Sequence, residues 1–151
     1  MDEPQTRYID YVPSPGNIKR IGKLHAWLYV ASLGLIGRRL DGLDILLLTT
    51  KGRRSGRPRT VPLPYFRLDG RTVLVASFGG HSEHPAWFTN LLEQPEVRVQ
   101  LGSRRWTARA RVPEAEERAA LWSQLTRAFP RYATYQVRTT RLIPLVIVEP
   151  G

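Results

Sequence analysis

Apolar and polar residues follow a helical spacing near the start of the chain and a strand-like pattern after it. Residues 18–40 place Ile18, Ile21 and Leu28 near one face, with basic residues toward the other, which predicts an amphipathic helix. From Asp44 the run DILLLTT is apolar and bounded by turn residues, which is typical of a buried strand. We therefore predict an N-terminal segment over residues 1–40, irregular at its start, and a folded domain over residues 41–151.

Hairpin signals organise the rest of the domain. The segments TVPLPYFRL and RTVLVASF flank Asp69–Gly70, a strong turn signal, and the two prolines of the first segment predict an edge or kinked strand. The segments EVRVQLG and RRWTARARV alternate with period two and meet at Gly102–Ser103. A last strand is predicted in RLIPLVIVEP.

Two further helices are predicted between these strands. One begins near Pro85 and ends before Pro95, and the other lies in PEAEERAALWSQLTRAF, which opens with proline and acidic residues. Hairpins in this order predict an α+β, mainly β fold with about six mostly antiparallel strands, enough to curl into a small barrel with flanking helices. No glycine-rich turn opens a helix after a strand, which argues against a Rossmann or P-loop domain.

The net charge of the chain says more about its partners than the rest of its composition does. The formal net charge is +10, which indicates an anionic partner such as nucleic acid, a phosphorylated cofactor or a membrane surface. The chain has no cysteine, so we expect no disulfide or thiolate metal site and a reducing, cytoplasmic location. The first residues do not resemble a signal peptide. The most apolar stretch, residues 26–36, would span about 16 Å as a helix, too short for a bilayer core of roughly 30 Å.

The strongest single feature is the segment KGRRSGRPR at residues 51–59, which carries five cationic side chains. It could hold a phosphate with turn amides, the Ser55 hydroxyl and arginine side chains, or it could be a charged turn that is simply solvated. Two alternatives also stay open for the helix over residues 18–40: packing on the core, or resting on anionic lipid. The segment with His81, Glu83 and His84 offers too few ligands for a metal, and we expect none.

Two other segments carry candidate chemistry. The motif ASFGG leaves a strand into glycines, where backbone amides can approach a flat ligand closely. The motif FPRYATYQ spaces Phe129, Tyr132 and Tyr135 by three residues, which gives one face if the segment is helical. Such a stripe is usually core, but tyrosines that follow a helix break often line the rim of a cavity.

Taken together, several motifs resemble one known family. LLLTTKGRRSGRPRTVPLPYF, VLVASFGG, HPAWFTNLLEQPEVRVQLG, TARARV, FPRYATYQ and TTRLIPLVIVEP occur in the order found in the deazaflavin-dependent nitroreductases, over about residues 44–150. The resemblance implies a split β-barrel related to FMN-binding barrels. It also implies coenzyme F420, an 8-hydroxy-5-deazaflavin with a phosphodiester-linked oligoglutamate tail.

The resemblance also implies the site residues. The phosphate and glutamate carboxylates would meet Lys51, Gly52, Arg53, Arg54, Ser55 and Arg59. The deazaflavin and the walls of its pocket would involve Thr60, Val61, Pro62, Ala76, Ser77, Trp87 and Asn90. Three residues are implied to be catalytic: Ser77 near the reacting end of the ring, and Tyr132 and Tyr135 above the substrate as a gate and as proton donors.

The sequence departs from nitro-activating members of the family at three places. Phe78 stands where they have lysine, Phe129 replaces the first tyrosine of a stripe, and Pro64 replaces a strand tyrosine. These changes make the substrate wall more apolar and leave the basic turn intact. We therefore expect hydride transfer from the deazaflavin C5 to a quinone-like, nitro or other conjugated acceptor, with menaquinone-like molecules favoured over nitroimidazoles.

Two alternatives from other classes remain at this point. A split barrel could carry FMN as an oxidase or cofactor carrier, and the basic surface could bind nucleic acid without catalysis. The resemblance favours a small-molecule acceptor and no nucleic-acid partner. Peripheral contact with the inner face of an anionic membrane, through residues 18–40, is a further hypothesis.

Overall fold

The computed structural model describes residues 23–24, 39–40 and 42–151. Its strands are β1 (Arg39–Leu40), β2 (Leu43–Lys51), β3 (Pro58–Leu68), β4 (Arg71–Val75), β5 (Glu96–Leu101), β6 (Arg104–Arg111) and β7 (Leu145–Pro150). Its helices are α1 (Ala86–Glu93), α2 (Ala115–Ala128) and α3 (Arg131–Val137), with a short 3-10 turn at Phe78–Gly80.

Six of these strands close into a barrel. Their order is β2, β3, β4, β7, β6, β5, and β5 pairs back with β2, so that the sheet has no free end. Every pairing is antiparallel. The predicted small antiparallel barrel is therefore confirmed, with hairpin turns at both places where the sequence indicated them.

The predicted helix over residues 18–40 is wrong at its end. Arg39–Leu40 form a short strand that pairs with the start of β2, and Arg39 Nε lies 3.1 Å from a carboxylate oxygen of Asp44. The close opposite charges and the turn at Gly42, whose φ is +75°, favour a hairpin here over another helical turn. The rest of that helix, apart from residues 23–24, lies outside the described residues, and so does the lipid-facing surface suggested for it.

The alternation along β2 divides the apolar residues between two faces. Leu46 and Leu48 face the barrel interior, while Ile45 and Leu47 face outward. Helix α1 contributes Trp87 to the interior cluster, together with Phe88 and Leu91, so it closes one end of the barrel. Helices α2 and α3 cover a separate cluster on the outer face of the sheet. Among the described residues, none of the helices combines the length and hydropathy needed to cross a membrane.

The prolines of β3 decide where the barrel opens. Residues 58–64 pair with β2 alone and residues 65–68 pair with β4, so the strand changes partner at Pro64. Pro58, Pro62 and Pro64 lie even numbers of residues apart, so their nitrogens face the same side of the strand, and proline is accepted where its nitrogen faces an unpaired edge. The predicted edge or kinked strand is confirmed for this first half of β3. Strand β4 does not extend along it, which leaves an open edge beside residues 76–81.

Candidate functional site

The basic turn joins β2 to β3 with a tightly bonded backbone. The Gly52 amide donates to the Arg57 carbonyl at 2.8 Å, and the Gly56 amide donates to the Gly52 carbonyl at 2.8 Å. A Cβ atom at Gly52 would lie 2.7 Å from the Ser55 Oγ atom, so a side chain there would displace the serine. Gly56 has a φ of +68°, which favours glycine. Glycine at these two positions lets the turn close on itself.

Asn90 fastens this turn to helix α1. Its Oδ1 atom accepts from the Arg53 amide at 3.2 Å and from Arg53 Nη1 at 3.1 Å, and its Nδ2 donates to the Thr50 hydroxyl at 3.2 Å. Asn90 and Thr50 are both buried. The Asn90 side chain therefore fixes the position of the turn. Both the backbone amide and the guanidinium of Arg53 already donate a hydrogen bond within the protein.

The other cations of the turn stay available to a ligand. Lys51, Arg54, Arg57 and Arg59 are exposed, and no ion pair joins any of them to another described residue. Four unpaired positive charges on one short connection repel one another unless an anion lies between them. The turn is therefore suited to a ligand with several negative charges.

The second predicted segment follows β4 and has a left-handed backbone. Phe78, Gly79 and Gly80 have φ values of +47°, +62° and +81°. Such values are strained for phenylalanine, by roughly 1–2 kcal/mol. At Gly80 a Cβ atom would lie 2.8 Å from the Tyr135 carbonyl oxygen, so only glycine allows this close contact with α3. The turn and the tyrosine helix thus pack directly against each other.

One arginine binds three carbonyls around this turn. Arg141 donates to the Ala76 carbonyl at 3.1 Å, to Ser77 at 2.6 Å and to His81 at 2.8 Å. Its Nη1 atom also lies 3.1 Å from Nδ1 of His84. The pKa of His84, which remains an exposed residue, is lowered first by partial desolvation and then by the Arg141 charge. We therefore expect a neutral imidazole beside the guanidinium at neutral pH.

The predicted aromatic stripe lies on α3 and two residues before it, at the end of α2. Tyr132 is only 4% exposed and packs edge-on against Phe66, with ring centroids 5.4 Å apart, and against Tyr135 at 5.6 Å. Burial is the main cause of a raised Tyr132 pKa, so its hydroxyl stays protonated. Tyr135 is half-buried, and the Phe129 ring packs at a tilt against Phe66, with centroids 4.8 Å apart. Tyr132 is therefore mostly core, while Tyr135 keeps access to solvent.

Three of the remaining predicted residues converge on the barrel interior, while Thr60 and Pro62 do not. Ala76 and Trp87 are buried in the interior cluster and Val61 packs against it, so β3, the β4 exit and α1 meet there. Thr60 instead bonds the Thr49 hydroxyl at 2.7 Å and lines a cavity of about 460 Å³ on the outer face of the sheet. Pro62 is half-buried on the open half of β3.

Sequence reasoning missed residues that hold the site together. Arg57 belongs to the same exposed cationic set as its neighbours, and the KGRRSGRPR motif contained it. Arg141 and its partner Gln136 were not singled out, because their contacts join segments that are far apart in the sequence.

Within the part of the chain that the structure describes, no three His, Asp or Glu side chains cluster as a metal site.

A family model and known proteins match this chain over most of its length. The model described as F420H(2)-dependent quinone reductase matches residues 21–150. An F420H(2)-dependent quinone reductase of Mycobacterium tuberculosis is 37% identical over 130 residues, which cover 83% of this chain and 87% of the relative. The match confirms the resemblance to F420-dependent reductases. The family model and the relative are both described as quinone reductases, and neither description mentions nitro compounds.

Solved structures agree with the fold. A structure titled F420-H2 dependent reductase (FDR-A) is 44% identical, with a TM-score of 0.61, over 70% of this chain and 93% of that one. Another, described as a domain-swapped dimer, is 39% identical with a TM-score of 0.65, over 90% of this chain and 100% of that one. The closed antiparallel barrel is thus shared with an F420-dependent reductase.

Proposed function

Because the chain belongs to the F420H(2)-dependent quinone reductase family, we propose that it transfers a hydride from reduced coenzyme F420 to a quinone-like acceptor. The chain is an oxidoreductase and its cofactor is F420, as its family membership shows. This membership decides against a nucleic-acid-binding module without catalysis. It also favours F420 over FMN as the cofactor of the barrel.

The observation that carries the proposal for the site is the set of unpaired cations on the β2–β3 turn. A tail with one phosphate and several carboxylates needs several positive partners and free amides. Lys51, Arg54 and Arg59 are exposed and have no ion pair with any described residue, and Ser55 is exposed beside them. The turn therefore fits the tail, and Asn90 acts by holding the turn in place rather than by touching the tail.

The residues around the open edge of β3 would bind the ring. Bound in its reduced form, the deazaflavin supplies a hydride from C5. Trp87 and Ala76 form a buried floor that excludes water from one side, and Val61 and Pro62 line the half-open edge. Ser77 leaves β4 at the rim, where its hydroxyl can bond the ring or the acceptor. The chain's main contribution is to orient two partners and keep water out.

Reduction of a quinone to a quinol takes one hydride and one proton. Tyr135 is half-buried and can pass a proton from solvent to the acceptor oxygen. Tyr132 stays protonated because its pKa is raised by burial, so it can donate a hydrogen bond but does not readily release its proton. Phe78 and Phe129 add apolar surface, which favours a menaquinone-like acceptor over a polar nitro compound.

Two measurements test this function. The first is the change in cofactor fluorescence on titrating the purified protein into oxidised F420 and into the deazaflavin fragment without phosphate and glutamates. We expect clear binding of F420 and much weaker binding of the fragment. The second is stopped-flow oxidation of the reduced cofactor by a short-chain menaquinone and by a nitroimidazole, and we expect the quinone to react faster.

Each half of the proposal can fail separately. Equal affinity for F420 and its fragment would show that the tail does not bind at the basic turn, while F420 would remain the cofactor. A faster reaction with the nitroimidazole would contradict the acceptor class. Titration with FMN is the control for the cofactor, and tight FMN binding with none of F420 would contradict the cofactor assignment.

A further inference from the structure

We propose that Arg141 is a positioning residue for hydride transfer, one that holds the loop carrying Ser77 at a fixed place against the tyrosine helix. This inference rests on the proposed function for its catalytic consequence. The contacts themselves belong to the fold. They join the exit of β4, the left-handed turn and the segment before β7, three parts of the chain that the barrel brings together.

The first observation is the number of backbone carbonyls that one side chain satisfies. Arg141 uses Nε for His81, Nη1 for Ala76 and Nη2 for Ser77, at 2.8, 3.1 and 2.6 Å. These carbonyls follow the end of β4 at Val75, and the sheet no longer supplies their partners. A guanidinium has five N–H donors in a rigid plane, so it can bind several carbonyls at once in a fixed geometry. Lysine could not replace it, because a single ammonium cannot reach three separated oxygens.

The second observation is strain between the bonded carbonyls. Phe78 lies between Ser77 and His81, and its φ of +47° is unfavourable for a side chain of that size. Strained backbone persists only where the surroundings hold it in place. Arg141 binds the residue before the left-handed turn and the residue after it. It therefore clamps both ends of the strained turn.

The third observation links this clamp to the tyrosines. Gln136 on α3 donates from Nε2 to the Arg141 carbonyl at 2.7 Å, and its Oε1 accepts from the Ile143 amide at 2.9 Å. The same short helix carries Tyr132 and Tyr135. Through Gln136 and Arg141, the helix is bonded to the loop that presents Ser77. The separation between these candidate catalytic groups thus depends on these two side chains together with the direct contact of Gly80 with α3, and neither side chain needs to touch the ligand.

A second arginine offers a matched control. Arg118 on α2 donates from Nη2 to the Ile143 carbonyl at 2.7 Å, so it binds the same segment as Gln136 does. Both guanidinium groups are partly buried, and this burial lowers the pKa of each arginine. Among the described residues, Arg118 makes no hydrogen bond to residues 76–81, and its guanidinium lies over the Trp122 ring at 4.9 Å. Arg118→Gln should therefore cost stability without releasing the loop.

The experiment compares Arg141→Lys, Arg141→Gln and Arg118→Gln with the wild type. In the protein without cofactor, hydrogen exchange of the Gly80 and His81 amides reports on the turn, because these amides bond the Ser77 and Phe78 carbonyls. We expect faster exchange there in both Arg141 variants and not in Arg118→Gln. In single turnovers with the menaquinone, we expect hydride transfer to slow by about tenfold or more in both Arg141 variants. Their affinity for F420 should stay within about threefold of the wild type, because the basic turn is untouched.

Two results would overturn the inference. One is unchanged amide exchange at Gly80 and His81 in the Arg141 variants, which needs no cofactor and therefore does not depend on the proposed function. The other is equal hydride-transfer rates in Arg141→Gln and Arg118→Gln at equal loss of stability. Failure of the proposed function itself would appear in the wild type, as no binding of F420 or no reaction with the quinone. If Arg141→Gln does not fold, Arg141→Lys keeps the charge and carries both measurements.

Discussion

The basic turn and the Ser77 loop flank the same open edge of the barrel but are built on opposite principles. The turn over residues 51–59 is mostly exposed, and none of its five cations has an ion pair with another described residue. The loop over residues 76–81 is mostly buried or half-buried, and long-range hydrogen bonds hold its carbonyls. The turn presents unpaired positive charges to a ligand, whereas the loop is a backbone segment fixed in one conformation by hydrogen bonds.

This difference predicts how each region responds to change. Exposed charges act over several ångströms, are screened by salt and can partly replace one another. A strained backbone held by hydrogen bonds is disturbed by shifts of tenths of an ångström, and no neighbouring group can replace a lost bond. Substitutions in the turn should therefore alter affinity in a salt-dependent way. Substitutions in the loop should alter stability and rate with little dependence on salt.

The largest effect is expected from the double variant Arg54→Ala/Arg59→Ala. Each arginine that makes a charge-assisted bond should contribute about 1.5–3 kcal/mol to F420 binding, so the double variant should bind more than a hundredfold more weakly. The loss should shrink at high salt because the side chains are exposed. Fluorescence titration at two ionic strengths measures both effects.

Arg127→Ala is the control for this loss, since Arg127 is also exposed but lies at the end of α2. It should change the net charge without changing affinity by more than a small factor. Unchanged F420 affinity in the double variant would place the tail away from the turn. A loss that is the same at both ionic strengths would contradict the electrostatic account of this region.

The next effect concerns stability, through Gly80→Ala. A positive φ costs an alanine roughly 1–2 kcal/mol, and the contact of its Cβ with the Tyr135 carbonyl should add to this. Gly70→Ala separates the two causes, because Gly70 has a φ of +73° and no atom within 4 Å of its Cβ position. We expect Gly80→Ala to lower the free energy of unfolding by about 2–3 kcal/mol, more than Gly70→Ala does. Equal losses would show that the loop does not depend on its contact with α3.

The same contrast explains what the sequence could predict. The strands were found because their apolar alternation and the DG and GS turns are local signals, and the KGRRSGRPR motif shows its charge directly. The end of the helix over residues 18–40 was predicted wrongly, because its helical spacing continues into residues that pair with β2. Arg141 was missed because its three carbonyls lie 60 or more residues away along the chain. Sequence patterns show charge and periodicity, while contacts of this kind exist only after folding.

A smaller effect is expected for the tyrosines. Tyr135→Phe should lower turnover of a menaquinone analogue by about three- to tenfold, the range expected for one hydrogen bond, and should change F420 affinity less. Tyr132→Phe should also lower turnover more than affinity, but by less than Tyr135→Phe, because Tyr132 is almost fully buried. Steady-state kinetics with a parallel titration separate rate from binding. Two variants as fast as the wild type would exclude both hydroxyls from the reaction.

The smallest effect is expected from pH, at the edge of the loop. His84 has a folded-state pKa below its ordinary value of 6.5, through burial first and the Arg141 charge second. The unfolded chain therefore binds a proton at His84 more readily than the folded one does. As the pH falls through 6.5 toward the lower folded value, this difference favours unfolding, and above 6.5 it has no effect.

His84→Asn should thus make the melting temperature fall less between pH 7.5 and pH 5.5 than it does in the wild type. The other two histidines are present in both proteins and serve as the internal control. A proton NMR titration measures the His84 midpoint directly, and in Arg141→Gln it should move part of the way back toward 6.5 because the partial desolvation remains. A wild-type midpoint at or above 6.5 would show that His84 does not lie beside the guanidinium in solution, and would weaken the account of the loop as a region held by fixed geometry.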